Sequence, residues 1–192
     1  MSVQTQRRLF TVKEYHLMSE AGVFGNNERV ELIEGEIIQM AAIGKRHAAR
    51  VDRLANYFYR EVRKPAIIRV QNPICLNDKS EPQPDLVLVQ TRADFYEESL
   101  PNSQDILLLV EVSDSTIDFD RDVKVPNYAR SGIQEVWLWD LEVNCLEVYR
   151  SPTANGYSSM QKIAGGAIVS PLAFPELQVS VDLILNYSNQ PV

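Results

Sequence analysis

The longest unbroken apolar run in the chain is Ile106-Leu107-Leu108-Leu109-Val110, bounded by Asp105 and Glu111. A run without polar alternation predicts a strand buried on both faces, in the middle of a sheet. It leads into Glu111, whose carboxylate is expected at the edge of the core. A carboxylate there must be paired, hydrogen-bonded or bound to a cation. Asp85-Leu86-Val87-Leu88-Val89 is a second buried strand, and it also begins with an acid. Ala66 to Val70, Ile74 to Leu76, Glu135 to Asp140, Cys145 to Arg150 and Tyr157 to Ile163 read as further strands. Arg29 to Ile33 and Glu36 to Met40 flank Glu34-Gly35, which predicts a hairpin. Leu177 to Leu185 closes the core.

Helical periodicity marks three other stretches. Thr11-Val12-Lys13-Glu14 has the form of a capping box and opens a short helix through about Glu20. Gly22 to Asn27 follows as a turn-rich connection. From Gly44 to Lys64, a 100° step places Val51, Leu54, Ala55, Phe58 and Val62 on one face. Arg46, Arg50, Arg53, Tyr57, Arg60 and Lys64 fall on the other, and Pro65 stops the helix. Asp118 to Ser131 is helical in pattern, although Pro126 must kink it or confine its regular part to one side. Gly132 marks its end. Asn77 to Pro82 reads as a turn, and the polar stretch Thr91 to Gln104 as a helical turn plus loop. The order of elements predicts an α/β or α+β fold: a mixed β-sheet core flanked by helices, with additional β-hairpins.

Composition narrows the picture. A chain of 192 residues, 45% hydrophobic, is read as one domain, residues 1–192, with a core from about 11 to 183. No stretch approaches the roughly 20 apolar residues of a membrane span. Met1-Ser2-Val3-Gln4 lacks an apolar signal region, so a cytoplasmic location is expected. Cys75 and Cys145 lie in no paired motif, which argues against a disulfide framework and a zinc site. The net charge of -7 disfavours indiscriminate nucleic-acid binding but does not decide a local patch. The one concentrated basic surface is the Arg46 to Lys64 helix face. It reads either as a solvated helix face or as contact with phosphates. Trp137 and Trp139 alternate on a strand, which fits core packing; docking of a protein partner is the alternative.

The candidate chemistry centres on Asp85 and Glu111. Two acids at strand ends either cap and pair at the surface or converge as a hard-oxygen site for Mg²⁺ or Mn²⁺. The Val112 carbonyl is a candidate third ligand. Asp120, Lys124 and Tyr128 stand at i, i+4 and i+8, on one helix face. Lys124 either forms a surface pair with Asp120 or reaches Glu111 from the neighbouring helix. His47 lies near the border of its helix's apolar face, as a capping or packing histidine or as a group behind the site.

These residues carry a resemblance to the bacterial Uma2 family of restriction-endonuclease-like proteins, within the PD-(D/E)xK nuclease superfamily. Val30-Glu31-Leu32-Ile33-Glu34-Gly35-Glu36 resembles that family's early Glu-Leu-Ile-Asp-Gly-Glu signature. Lys45-Arg46-His47 resembles its helix-opening histidine, and Gln83-Pro84-Asp85 its Gln-Pro-Asp. Glu111-Val112-Ser113 resembles its second acidic motif. Asp120, Lys124 and Tyr128, with Ala129 to Trp137, resemble the helix and strand that follow. The resemblance covers roughly Thr11 to Leu183. It implies divalent-metal hydrolysis of DNA phosphodiesters, with Asp85 and Glu111 as metal carboxylates, and a homodimer. No nucleotide cofactor and no membrane partner are expected.

One position departs from the superfamily pattern. Lysine commonly stands two residues after the glutamate, and this chain has Ser113 there. The resemblance assigns the cation's role to Lys124. Glu31 is then a further acid or second-metal ligand, and His47 a supporting group. Ser113 and the acidic charge also leave open a catalytically weak or inactive nuclease fold that binds nucleic acid or protein.

Overall fold

The computed structural model describes residues 7–25, 28–62 and 65–182. Helix α1 (Val12–Glu20) opens on the capping box: Thr11 N–H donates to Glu14 at 3.0 Å, and Glu14 N–H donates to the Thr11 hydroxyl at 3.2 Å. Strands β1 (Val30–Ile33) and β2 (Glu36–Gln39) form the hairpin. Its two-residue turn has positive φ at both centres, 51° at Glu34 and 83° at Gly35, as the twist of a tight hairpin requires.

Helix α2 (Lys45–Glu61) buries Val51, Leu54, Ala55 and Phe58, the face its periodicity marks. It ends at Glu61, earlier than expected, and Lys64 lies outside the described residues. The central sheet has the order β3 (Ile67–Val70), β4 (Leu86–Val89), β5 (Ile106–Ser113), β6 (Glu135–Asp140), β7 (Cys145–Thr153), β8 (Gly156–Ile163). All neighbours are antiparallel except β5 and β6. A parallel pair needs a crossover. Here it consists of α3 (Ile117–Phe119), a π-helical turn (Asp120–Lys124) and α4 (Val125–Arg130). Short strands β9 (Ile168–Val169) and β10 (Val179–Ser180) pair beside the sheet.

The sheet has an apolar layer on each side. Leu108, Val110, Val112, Trp137 and Trp139 pack with Leu54 and Phe58 of α2. Leu109, Val136 and Leu138 pack with Val125 and Tyr128 of the crossover. Both tryptophans are fully buried, which removes them as a docking surface. No helix among the described residues is long and apolar enough to cross a membrane.

Three expectations are corrected. Ile74 to Leu76 is no strand, because its amides donate to Pro82, Pro101 and Ser80, in two loops rather than one neighbouring strand. Thr91 to Gln104 holds no helical turn: Phe95 and Tyr96 have φ of 50° and 64°, and the Asp94 carboxylate accepts the Tyr96 and Glu98 amides. Glu111 is not at the strand's edge, since β5 continues to Ser113, which stands opposite Asp140 of β6. Pro126 confines the regular part of its helix to one side, the second of the two outcomes expected of it. The π turn precedes it, with Val125 N–H reaching back to the Asp120 carbonyl, so proline enters in the first turn of α4, where its missing N–H costs least. At the far end, Gly132 N–H bonds Ala129 and Ile133 N–H bonds Tyr128, with φ of 84° at Gly132. That is a glycine-terminated Schellman closure. Of the stretch from Leu177 to Leu185, Leu177, Val179 and Val181 are buried; residues 183–185 lie outside the described residues.

Candidate active site

Side chains along β5 alternate between the two layers. Leu108, Val110 and Val112 enter the α2 side, so Glu111 and Ser113 face the crossover helix. Glu111 is 3% exposed. Its Oε1 accepts the Tyr128 hydroxyl at 2.5 Å and lies 2.8 Å from Lys124 Nζ. Lys124 therefore reaches in from the helix rather than pairing at the surface. Its Nζ also lies 3.4 Å from Glu31 Oε2 and 4.0 Å from Asp120 Oδ1. Glu31 comes from β1, and its Oε2 accepts the Gln83 amide at 3.0 Å.

Asp85 immediately precedes β4. Its Oδ2 accepts the Val112 amide at 2.9 Å and lies 3.0 Å from His47 Nε2. Its Oδ1 accepts from Gln71 at 3.1 Å, and its own amide faces Glu111 Oε2 at 3.3 Å. The backbone of Val112 lies beyond the β4 ladder, which pairs Leu86 with Val110. Within a strand, a residue's N–H and C=O point to the same side. The Val112 carbonyl thus faces the Asp85 side. Glu31, His47, Asp85, Glu111, Val112 and Lys124 all line one cavity of about 570 Å³.

The π turn explains how Lys124 is aimed. Ser113, where the superfamily pattern expects lysine, donates its hydroxyl to Asp120 Oδ2. Thr116 donates to the same oxygen at 2.7 Å. This clasp fixes the start of the turn whose last residue is Lys124. Tyr128, one turn further on, meets the same carboxylate oxygen as Lys124.

The electrostatics follow from burial and crowding. Burial pushes Glu111 up to about 8, against the opposing pull of Lys124. Burial alone would lower Lys124, but the carboxylates of Glu111, Glu31 and Asp120 hold it well above an ordinary lysine. Asp85 is also desolvated, yet His47, the Val112 amide and Gln71 hold it below the usual range. His47 is raised, chiefly by its hydrogen bond to Asp85. Five acids (Glu31, Asp85, Glu111, Asp114, Asp120) thus line one cavity with Arg29, His47 and Lys124, so acidic groups outnumber basic ones.

That donor set fits a divalent cation. Two carboxylates and a strand carbonyl are hard oxygen ligands, and the excess negative charge calls for a cation. Among the described residues, no three His, Cys, Asp or Glu side chains form a ready cluster. Lys124 draws Glu31 toward itself, so the candidate set is Asp85, Glu111 and the Val112 backbone. The basic face of α2 is less free than its sequence suggests. Arg46 donates to Asp114 at 2.9 Å and to the Leu141 carbonyl, and Tyr57 donates to the Gln178 carbonyl at 2.7 Å.

Sequence reasoning missed Gln71 and the Ser113–Asp120 clasp as site groups. Gln71 follows β3 and has no signal in the sequence. Tyr128 has one, its i+4 spacing from Lys124.

A mixed sheet whose central strands carry two facing acids, with a lysine from the crossover helix, has the architecture of a nuclease-type fold. The family described as "Putative restriction endonuclease", Uma2, matches residues 12–182, and the chain belongs to it. A solved structure described as "a putative nuclease belonging to DUF820", from Anabaena variabilis, is similar in fold. Its TM-score is 0.69 at 18% identity, covering 92% of this chain and 97% of that one. No curated protein matches the chain.

Proposed function

We propose that the protein is a metal-dependent endonuclease that hydrolyses DNA phosphodiester bonds, with Mg²⁺ or Mn²⁺ held by Asp85, Glu111 and the Val112 carbonyl. The observation that carries this reading is the 2.8 Å contact of Lys124 with Glu111, which supplies the cation that Ser113 lacks. When bound, a divalent cation supplies an activated water and neutralises charge on the phosphoryl oxygen.

The chain's own residues do the rest. His47, Gln71 and the Val112 amide fix the Asp85 carboxylate. Tyr128 and Lys124 engage one oxygen of Glu111 and leave the other turned toward Asp85. The Lys124 ammonium orients the attacking water or stabilises the charge that develops on phosphorus-bound oxygen. Glu31 holds Lys124 from β1, as an anchor rather than a primary ligand. The resemblance to dimeric nucleases makes a homodimer the proposed assembly, which sedimentation would test.

Cleavage of labelled DNA in Mg²⁺ or Mn²⁺ tests the assignment. Asp85→Asn and Glu111→Gln should each lower the rate by about a thousandfold, and Lys124→Met by about a hundredfold or more. Circular dichroism would confirm folding. Retained cation-dependent cleavage in the folded Asp85 or Glu111 variant would sink the assignment. A second reading is a binding module. It is favoured by the protein donors that already engage both carboxylates, and it predicts DNA binding without cleavage in either cation.

A further inference from the structure

Four large apolar side chains line the cavity yet pack into neither core layer: Ile38, Met40, Ile43 and Phe119. Ile43 is 45% exposed. They come from two separate segments. Ile38 and Met40 lie at the end of the hairpin and Ile43 just before α2, while Phe119 immediately precedes the π turn that delivers Lys124. Apolar surface held in the open is costly unless something covers it. Phosphate cannot be that partner, because it needs donors and cations.

The cavity's positive groups are already engaged. Arg29 donates to Gln83, Lys124 is enclosed by carboxylates, and His47 is on Asp85. Arg46, outside the lining, is tied to Asp114 and the Leu141 carbonyl. The lining therefore offers apolar faces beside the carboxylates, where a duplex would need a row of free phosphate clamps. The complementary surface is the face of a nucleobase. In a duplex, base faces are covered by stacking on one another, and only an unpaired base can lay its face on a side chain. The cavity, about 570 Å³, is in the range of pockets that enclose a small ligand, on the scale of one or two nucleotides.

We propose that the site accepts unpaired DNA, with a base beside the scissile phosphate seated against Phe119 and Ile43. This rests on the phosphodiester reading of the same site and names its substrate class. The expected order of preference is single strand or bubble first, continuous duplex last.

The test presents one labelled sequence as a single strand, as a full duplex and as a duplex with a central bubble. Cleavage is followed in Mn²⁺. Binding is followed separately by fluorescence anisotropy with Asp85→Asn and no metal. The single strand and the bubble should be cut, and bound, on the order of tenfold better than the duplex. Phe119→Ala should raise KM for the single strand more than it lowers kcat, and Phe119→Trp should keep the wild-type KM. Ile43→Ala, in a loop residue outside both cores, gives an independent variant with the same expected direction. A duplex cut and bound as well as the single strand would overturn the inference and leave the nuclease reading standing. So would unchanged KM and binding in both alanine variants. Single-strand binding that depends on Phe119, with no cleavage of any substrate, would support the base site and remove the nuclease reading. No binding to any of the three would overturn the inference.

Discussion

Ser113 is the residue at which the chain departs from the superfamily pattern, and its neighbours show how the departure is accommodated. Its hydroxyl and the Lys124 ammonium converge on the same acid, Asp120. A longer cationic side chain at 113 would start from the strand and end among the same carboxylates. Ser113→Lys introduced into Lys124→Met should therefore recover part of the lost DNA cleavage, measured as kcat with Mn²⁺. If the double variant is folded and no more active than Lys124→Met alone, the shared position of the two side chains is wrong. Tyr128→Phe removes one donor from Glu111 Oε1. It should cost about 1 kcal/mol in denaturant unfolding and reduce kcat more than it changes KM. Asp85, Glu111 and Lys124 stand out in the sequence as acids at the ends of apolar runs and a lysine at helical spacing, but pattern alone left a surface pairing open and the resemblance supplied their roles. Gln71 and the Ser113–Asp120 clasp do not stand out, since they exist only where separate segments meet.

At the scale of elements, the site depends on how α2 and the hairpin are held. Phe58 is fully buried and packs against Trp137 with the rings tilted by 46° and their centroids 6.4 Å apart. Phe58→Ala should destabilise the protein by about 3–5 kcal/mol, and through α2 it should loosen His47 from Asp85. Equilibrium unfolding reads the first effect. Gly35 combines a φ of 83° with a site where an added methyl would lie 2.6 Å from Leu9 Cβ. Gly35→Ala should cost about 1–3 kcal/mol, and it should displace Glu31 from Lys124. An unchanged unfolding midpoint would contradict the turn geometry. Periodicity located the hairpin, α2 and the sheet strands well, because each buries one regular face. It failed at Ile74 to Leu76, where an apolar stretch says nothing about which backbone groups lie alongside. It also failed at the π turn, because helical spacing in sequence assumes the ordinary hydrogen-bond step.

At the scale of the molecule, an ion network ties the crossover to the far strands. Glu147 of β7 is 1% exposed and meets Arg121 at 3.0 Å, Lys162 at 2.8 Å and the Tyr149 hydroxyl at 2.5 Å. Arg121 also reaches Asp140 of β6 at 3.0 Å. Burial would raise Glu147, but Arg121, Lys162 and Tyr149 outweigh it and lower the carboxyl from 4.5 to about 2. A depressed folded-state value means the contribution is fully present above about 4.5 and is lost as pH falls toward 2. Allowing for solvent screening of the partly exposed cations, it amounts to on the order of 1–2 kcal/mol. Glu147→Gln should lower stability at neutral pH by about that much and flatten the acid limb of the stability curve; an unaltered limb would exclude the network as its source. The central claim, however, concerns Asp85 and Glu111. A crystal structure with Mn²⁺, phased for anomalous scattering, tests it most directly. An anomalous peak is expected between the two carboxylates and the Val112 carbonyl, with Lys124 Nζ still on Glu111. A well-ordered site with no peak at saturating Mn²⁺, or a peak elsewhere, would contradict it.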